Sequence, residues 1–175
     1  MDKKKRILSR KVAFVYLYQK YFTWYLSNKD IIFEEILKVD KIVNWHPITE
    51  EARKSIKNSF ASFYDISNFE EDVDYIIKNF FWQKDVEFEY VKNVVQSYDD
   101  YKNKVEKEVD EYTKTFDYKD MDLVDRVIFL LWYIEFNVIW TPRNVIINEM
   151  IELAKRYWDE WSYRLINGIA QKIII

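Results

Sequence analysis

Cysteine is absent from these 175 residues, glycine and histidine occur once each, and proline occurs twice. Without cysteine there is no disulfide framework, no thiolate metal site and no cysteine nucleophile, a composition that suits a reducing cytoplasm. One glycine cannot build the glycine-rich loops that cradle phosphates or dinucleotides. The lone His46 has no histidine or cysteine companion and precedes Pro47, so it reads as a loop residue rather than a metal or catalytic position. No serine stands in a nucleophile elbow and no His-Glu metal motif occurs. Acidic neighbours such as Asp99-Asp100 and Glu70-Glu71 would point about 100° apart on a helix, which does not make a two-carboxylate site. No enzymatic activity, metal or cofactor is expected. The longest apolar run, Val127 to Trp140, contains Glu135 and Asn137 and is too short for a membrane span. Lys11, Gln19 and Lys20 interrupt the N-terminal stretch where a signal peptide would need an apolar core.

What is present is a folded composition, 49% apolar and 33% charged, in a length that suits one domain or two small helical subdomains sharing a core. Charge is unevenly placed. Lys3, Lys4, Lys5, Arg6, Arg10 and Lys11 face only Asp2 within the first eleven residues, a local +5 in a chain whose total is −3. A basic arm on an acidic body suggests one face for a polyanion and others for other partners.

Apolar periodicity predicts helices throughout. The first starts between Lys5 and Ser9 and runs to about Leu26, with its cations in the first turns, where a helix N-terminus disfavours them unless an anion arrives. Short helices follow at Asp30 to Leu37, Thr49 to about Tyr64 (opened by Thr49, Glu50 and Glu51) and Phe69 to about Trp82. One long helix is expected from Asp85 to about Thr115, with Phe88, Val91, Val94, Val95, Tyr98 and Val105 as its core face. The last three span Leu123 to about Ile139, Arg143 to about Trp158, and Ser162 to about Gln171.

Two features of these last three helices are unusual. Glu135 falls on the apolar stripe of Val124, Ile128, Leu131 and Val138, so its carboxylate needs a partner; the start of the next helix, with Thr141 as N-cap and Pro142 at the first helical position, is the expected one. Gly168, the sole glycine, lies inside a helix where it costs about 1 kcal/mol relative to alanine. The expected reason is a backbone packed too closely for a side chain.

Asp125-Arg126-Val127-Ile128, Tyr133-Ile134-Glu135, Ile147 to Lys155 (Ile-Asn-Glu-Met-Ile-Glu-Leu-Ala-Lys) and Ile166-Asn167-Gly168 resemble the C-terminal half of the NusB family. Arg10, Ala13, Leu17 and Tyr18 are similar to its opening Arg-x-x-Ala-x-x-x-Leu-Tyr pattern. The resemblance implies an all-α fold of two roughly perpendicular helical bundles: an N-terminal subdomain over 1–84, with an insertion at about 38–84, and a C-terminal bundle over 85–175. It also implies a cytoplasmic RNA-binding adaptor of transcription antitermination and ribosomal RNA synthesis. Its partners would be single-stranded boxA-like RNA, the small-subunit ribosomal protein NusE and the RNA polymerase antitermination complex. On this basis Lys3, Lys4, Lys5, Arg6, Arg10, Tyr18, Tyr157, Trp158 and Trp161 are candidates for RNA, and Asp125, on the polar side of its helix, for the protein partner. Glu135, Asn148, Glu149, Asn167 and Gly168 are structural candidates. The chain departs from the family at Trp158 and Trp161, where glycine and an acidic residue are usual, and at Leu165, where an aromatic is. Two readings therefore stand open: an RNA-binding factor, or a degenerate relative that serves as a protein-interaction scaffold, homodimeric through exposed aromatics. A third, the RNA-targeting part of a ribosomal RNA methyltransferase, is not expected without a catalytic domain.

Overall fold

The structure, a computed structural model, describes residues 2–28, 49–62, 66–81, 85–114, 117–157 and 160–173. The expected helix at Asp30 to Leu37, the connection after it, and His46 lie outside the described residues. Eight α-helices and two 3₁₀ turns account for the order, and no strand occurs among the described residues: α1 Lys3–Asn28, α2 Glu50–Ser62, α3 Phe69–Phe80, α4 Phe88–Gln96, α5 Tyr98–Tyr112, α6 Leu123–Asn137, α7 Arg143–Tyr157 and α8 Glu160–Ile173. The chain is all-α, as its periodicity predicts.

Two helices form the spine. α1 packs on α2, α3, α4 and α6, while α6 packs on α1, α4, α5, α7 and α8. Every side chain from Val12 to Leu17 is buried, and so is every one from Val124 to Trp132. A helix that is apolar on all sides must be surrounded, and a single buried cluster runs from α1 through α6 to α8.

α1 begins at Lys3, earlier than expected, because Asp2 caps it. The Lys4 N–H donates to Asp2 Oδ1 at 2.9 Å, and the carboxylate lies at the positive end of the helix dipole. α2 is opened by Thr49, whose Oγ1 accepts from Ala52 N–H at 3.2 Å. The helix expected from Asp85 to Thr115 is interrupted at Ser97, where ψ is −6°. Ser97 Oγ donates back to the Asn93 carbonyl at 2.8 Å, a local competitor for the backbone ladder that bends helices.

α6 ends in a Schellman-type turn. Thr141 N–H donates to the Glu135 carbonyl at 3.1 Å, and the intervening left-handed position, usually glycine, is Trp140 at φ 57°. α7 starts where the Pro142 carbonyl accepts from Ile146 N–H at 3.1 Å, placing the cap one residue later than Thr141.

Gly168 is exposed on α8, and a Cβ built there would meet nothing within 4 Å. The expectation of a crowded backbone is therefore wrong: the glycine faces open space.

Candidate nucleic-acid interface

The basic tip of α1 is docked rather than free. Lys5 Nζ lies 2.7 Å from Asp85 Oδ1, and Arg6 Nη2 2.6 Å from Glu87 Oε2 with its guanidinium over the Tyr90 ring. Ser9 Oγ accepts from the Glu87 N–H at 2.8 Å. These contacts seat the tip on the entrance to α4. Of the expected phosphate contacts there, Lys3 and Lys4 remain exposed.

One turn on, Arg10 is 4% exposed. Its Nε is 2.6 Å from Glu135 Oε1 and its Nη1 3.4 Å from Glu149 Oε2. Tyr90 Oη donates to the same Glu135 oxygen. Burial, the largest single influence, would weaken the guanidinium's hold on its proton, but the charge of Glu135, the hydrogen bond to it and the further pull of Tyr90 and Glu149 together outweigh burial and raise the pKa. Burial, with Glu135 beside it, drives the Tyr90 phenol well above its ordinary value, so it stays a donor. The carboxylate of Glu135 thus takes Arg10 and Tyr90 as partners, not the first turn of α7; only its backbone carbonyl meets Thr141. This corrects two expectations. Glu135 clamps α1, α4 and α6 together rather than holding the start of α7, and Arg10 belongs to that clamp, with Glu149 beside it, rather than to an RNA surface.

Beyond Arg10 the same helix carries a row of rings. Tyr157 of α7 stacks on Phe14 with centroids 4.9 Å apart, Phe14 lies 6.3 Å from Tyr18, and Tyr18 stacks on Phe22 at 6.2 Å and 4°. Spacing of four residues puts Phe14, Tyr18 and Phe22 on one stripe of α1. Phe14 is buried, Tyr18 and Tyr157 are half-buried, and Phe22 is 41% exposed. Beside the row, Lys11 and Arg156 share a cleft of about 390 Å³ between α1 and α7, with the Arg156 guanidinium 5.7 Å over the Tyr157 ring. Partial burial, and then the charge of Arg156, hold the Lys11 ammonium below its ordinary 10.5, against the pull of Glu149. A site that already strains to keep its cation charged gains from an added anion.

Lys11, Phe14 and Arg156 are the members that sequence reasoning passed over; the seven-residue step from Lys11 to Tyr18 was the available signal. The structure joins Tyr18 to Tyr157 through Phe14, but along α1 the tip lysines lie about three helical turns, roughly 16 Å, from Phe14 and about four turns, roughly 21 Å, from Tyr18. Trp158 lies outside the described residues; Trp161 falls within α8, its side chain outside them. Asp125, expected on the polar side, is 4% exposed and so is not a surface contact. Asn148 is exposed on α7, and Asn167 is half-buried, accepting from Gln171 Nε2 at 3.1 Å.

A model of the NusB family matches residues 50–174. This chain belongs to the NusB family. It is 30% identical over 140 residues to the transcription antitermination protein NusB of Fusobacterium nucleatum, covering 78% of this chain and 83% of that one. The namesake from Thermoanaerobacter sp. is 31% identical over 108 residues, 61% of this chain and 76% of its own. The one from Clostridium botulinum strain Kyoto is 34% identical over 92 residues, 52% and 64%. No solved structure matches. The family span includes α2 and α3, and no described helix of this NusB-family chain is long and apolar enough to cross a membrane.

Proposed function

We propose that this NusB-family chain is a cytoplasmic transcription antitermination factor that binds single-stranded boxA-like RNA together with the ribosomal protein NusE, within the RNA polymerase antitermination complex. The observation that carries the reading is the aromatic row of Tyr157, Phe14, Tyr18 and Phe22 flanked by Lys11 and Arg156. Single strands are held by rings that stack on bases and by cations that follow the phosphates. Lys3 and Lys4, three turns away, extend the positive track, while Lys5, Arg6 and Arg10 support the fold that presents it.

Fluorescence anisotropy with a short boxA-like RNA, with and without NusE, tests this. Phe22→Ser removes the row's most exposed ring and should weaken binding about tenfold, as loss of one stacked base implies, with the melting temperature lowered by only a few degrees through loss of its stack on Tyr18. Equal affinity would remove the row from the interface.

The scaffold reading draws on a different observation, the exposed rings of Tyr75 at 56% and Phe80 at 53% on α3. Such rings mark contact surfaces when they lie together. A homodimer in sedimentation that Phe80→Ser dissolves, with no RNA binding under any condition, would favour it.

A further inference from the structure

Asp85 and Glu87, at the entrance to α4, each meet one cation of the α1 tip, and the two ion pairs differ in kind. The Arg6 and Glu87 side chains are mostly buried, and the guanidinium also lies 4.3 Å over the Tyr90 ring, so charge and stacking hold this pair together. The Lys5 and Asp85 side chains are 34% and 72% exposed. Water and salt reach their 2.7 Å contact and screen it. Between the two acids Val86 is buried, and the Glu87 N–H donates to Ser9 Oγ. The backbone that carries Asp85 is therefore fixed by contacts in which Lys5 has no part.

A carboxylate fixed opposite a lysine occupies the place that a phosphate oxygen would take. The hydrogen bond with Asp85, joined by the charges of Asp85, Glu87 and Asp2, outweighs desolvation and keeps the Lys5 ammonium above its ordinary 10.5. Lys4 is exposed, and the seven-residue step from it to Lys11 places both on one stripe of α1, with Lys5 about 100° round the helix from Lys4. A strand that follows this stripe passes within the swing of the Lys5 side chain.

We infer that Asp85 is an internal stand-in for a strand's phosphate: it holds Lys5 in the free protein, and a bound strand takes Lys5 from it while Arg6, Glu87 and Ser9 keep the tip seated on α4. This rests on the reading of the chain as an RNA-binding factor. The exchange needs no backbone movement, and it leaves no buried charge because Asp85 is exposed. Asp85 is tethered beside Lys5, so a loose anion competes against a high effective concentration, whereas a strand already gripped at Lys4 and Lys11 is tethered too. The contact thus discriminates against isolated anions.

A double-mutant cycle read by fluorescence anisotropy tests it. Wild type, Asp85→Asn, Lys5→Ala and the double variant are each titrated with a short boxA-like RNA and with a heparin oligosaccharide, which bears anions but no bases. Asp85→Asn should tighten RNA binding about two- to fivefold, the range of a surface ion pair. It should also steepen the slope of log affinity against log salt by up to about 0.7, equivalent to one further phosphate on a single strand. Glu89→Gln, which removes another exposed acid of α4, measures the gain from general charge alone. In the Lys5→Ala background Asp85→Asn should gain no more than Glu89→Gln does. The proposal is overturned if Asp85→Asn tightens RNA no more than Glu89→Gln, if its gain persists undiminished in the Lys5→Ala background, or if neither polyanion binds. Heparin separates the two possible failures. A Lys5-dependent gain on heparin, with no RNA bound by the wild type, keeps the latch and removes the boxA reading; tight RNA binding with additive substitutions removes the latch and leaves that reading in place.

Discussion

Replacing Glu135 by glutamine tests the clamp most sharply, because it changes one oxygen to an amide nitrogen and removes one charge at nearly constant shape. The Arg10 and Glu135 side chains are 5% and 3% exposed. At the surface such a pair contributes about 0–1 kcal/mol, whereas leaving one member of a buried pair uncompensated costs about 3–5 kcal/mol. Two features place the expected loss near the lower end, at about 3 kcal/mol: Glu149 still lies 3.4 Å from Arg10, and an amide oxygen can still accept from Arg10 or Tyr90. For a chain of this size that corresponds to a fall in melting temperature of about 6–12 °C. Urea denaturation of the wild type, Glu135→Gln and the triple variant Arg10→Met, Glu135→Leu, Tyr90→Phe provides the assay. The triple variant, which removes charge and hydroxyl together, should recover to within about 1–2 kcal/mol of the wild type. A loss below about 0.5 kcal/mol in Glu135→Gln would refute the reasoning, since it would mean that the buried contact is energetically a surface one.

Gly168→Ala should stabilise the protein by about 0.5–1 kcal/mol, read by urea denaturation, since the added methyl meets open space and the helix gains a better former; destabilisation would restore the crowded backbone. Trp140→Gly should raise stability by about 1 kcal/mol, because a left-handed tryptophan that is 83% exposed bears a conformational cost without a packing gain; a lower melting temperature would show that the indole has a folding role. RNA affinity should decline on the alkaline side earlier than an ordinary lysine allows. Lys11 has its pKa lowered below 10.5, so the attraction is complete below that lowered value and is lost as pH rises through it. Anisotropy titrations of Lys11→Arg, which stays charged, should remove that early decline, and an identical pH profile in the variant would exclude Lys11.

The helices were legible because their apolar periodicity is strong, and Glu135 announced itself as a buried carboxylate by sitting on the stripe of Val124, Ile128 and Leu131. Its partner was not legible. Arg10 lies 125 positions away, and nothing local distinguishes an arginine that reaches inward from one that waits for phosphate. The same blindness applies to the basic tip: a run of cations reads as an arm until Asp85 and Glu87, distant in sequence, are brought against Lys5 and Arg6. Ser97 broke a helix that periodicity alone would continue, because the apolar face persists on both sides of the bend. Asp125 was misplaced by assuming that an acid occupies the polar side of its helix, when α6 has almost no polar side. For the candidate interface, Tyr18 and Tyr157 could be picked out by resemblance, but the ring between them and the cations beside them emerge only when α1 meets α7.

The central claim, that the row between α1 and α7 holds a single strand with Lys11 and Arg156 on its phosphates, is tested most directly by the salt dependence of boxA-like RNA binding. Each phosphate neutralised on a single strand contributes about 0.7 to the slope of log affinity against log salt. Substituting both cations by alanine should therefore flatten the slope by about 1.4 and weaken binding at low salt. A slope and affinity equal to those of the unsubstituted chain would place the RNA elsewhere.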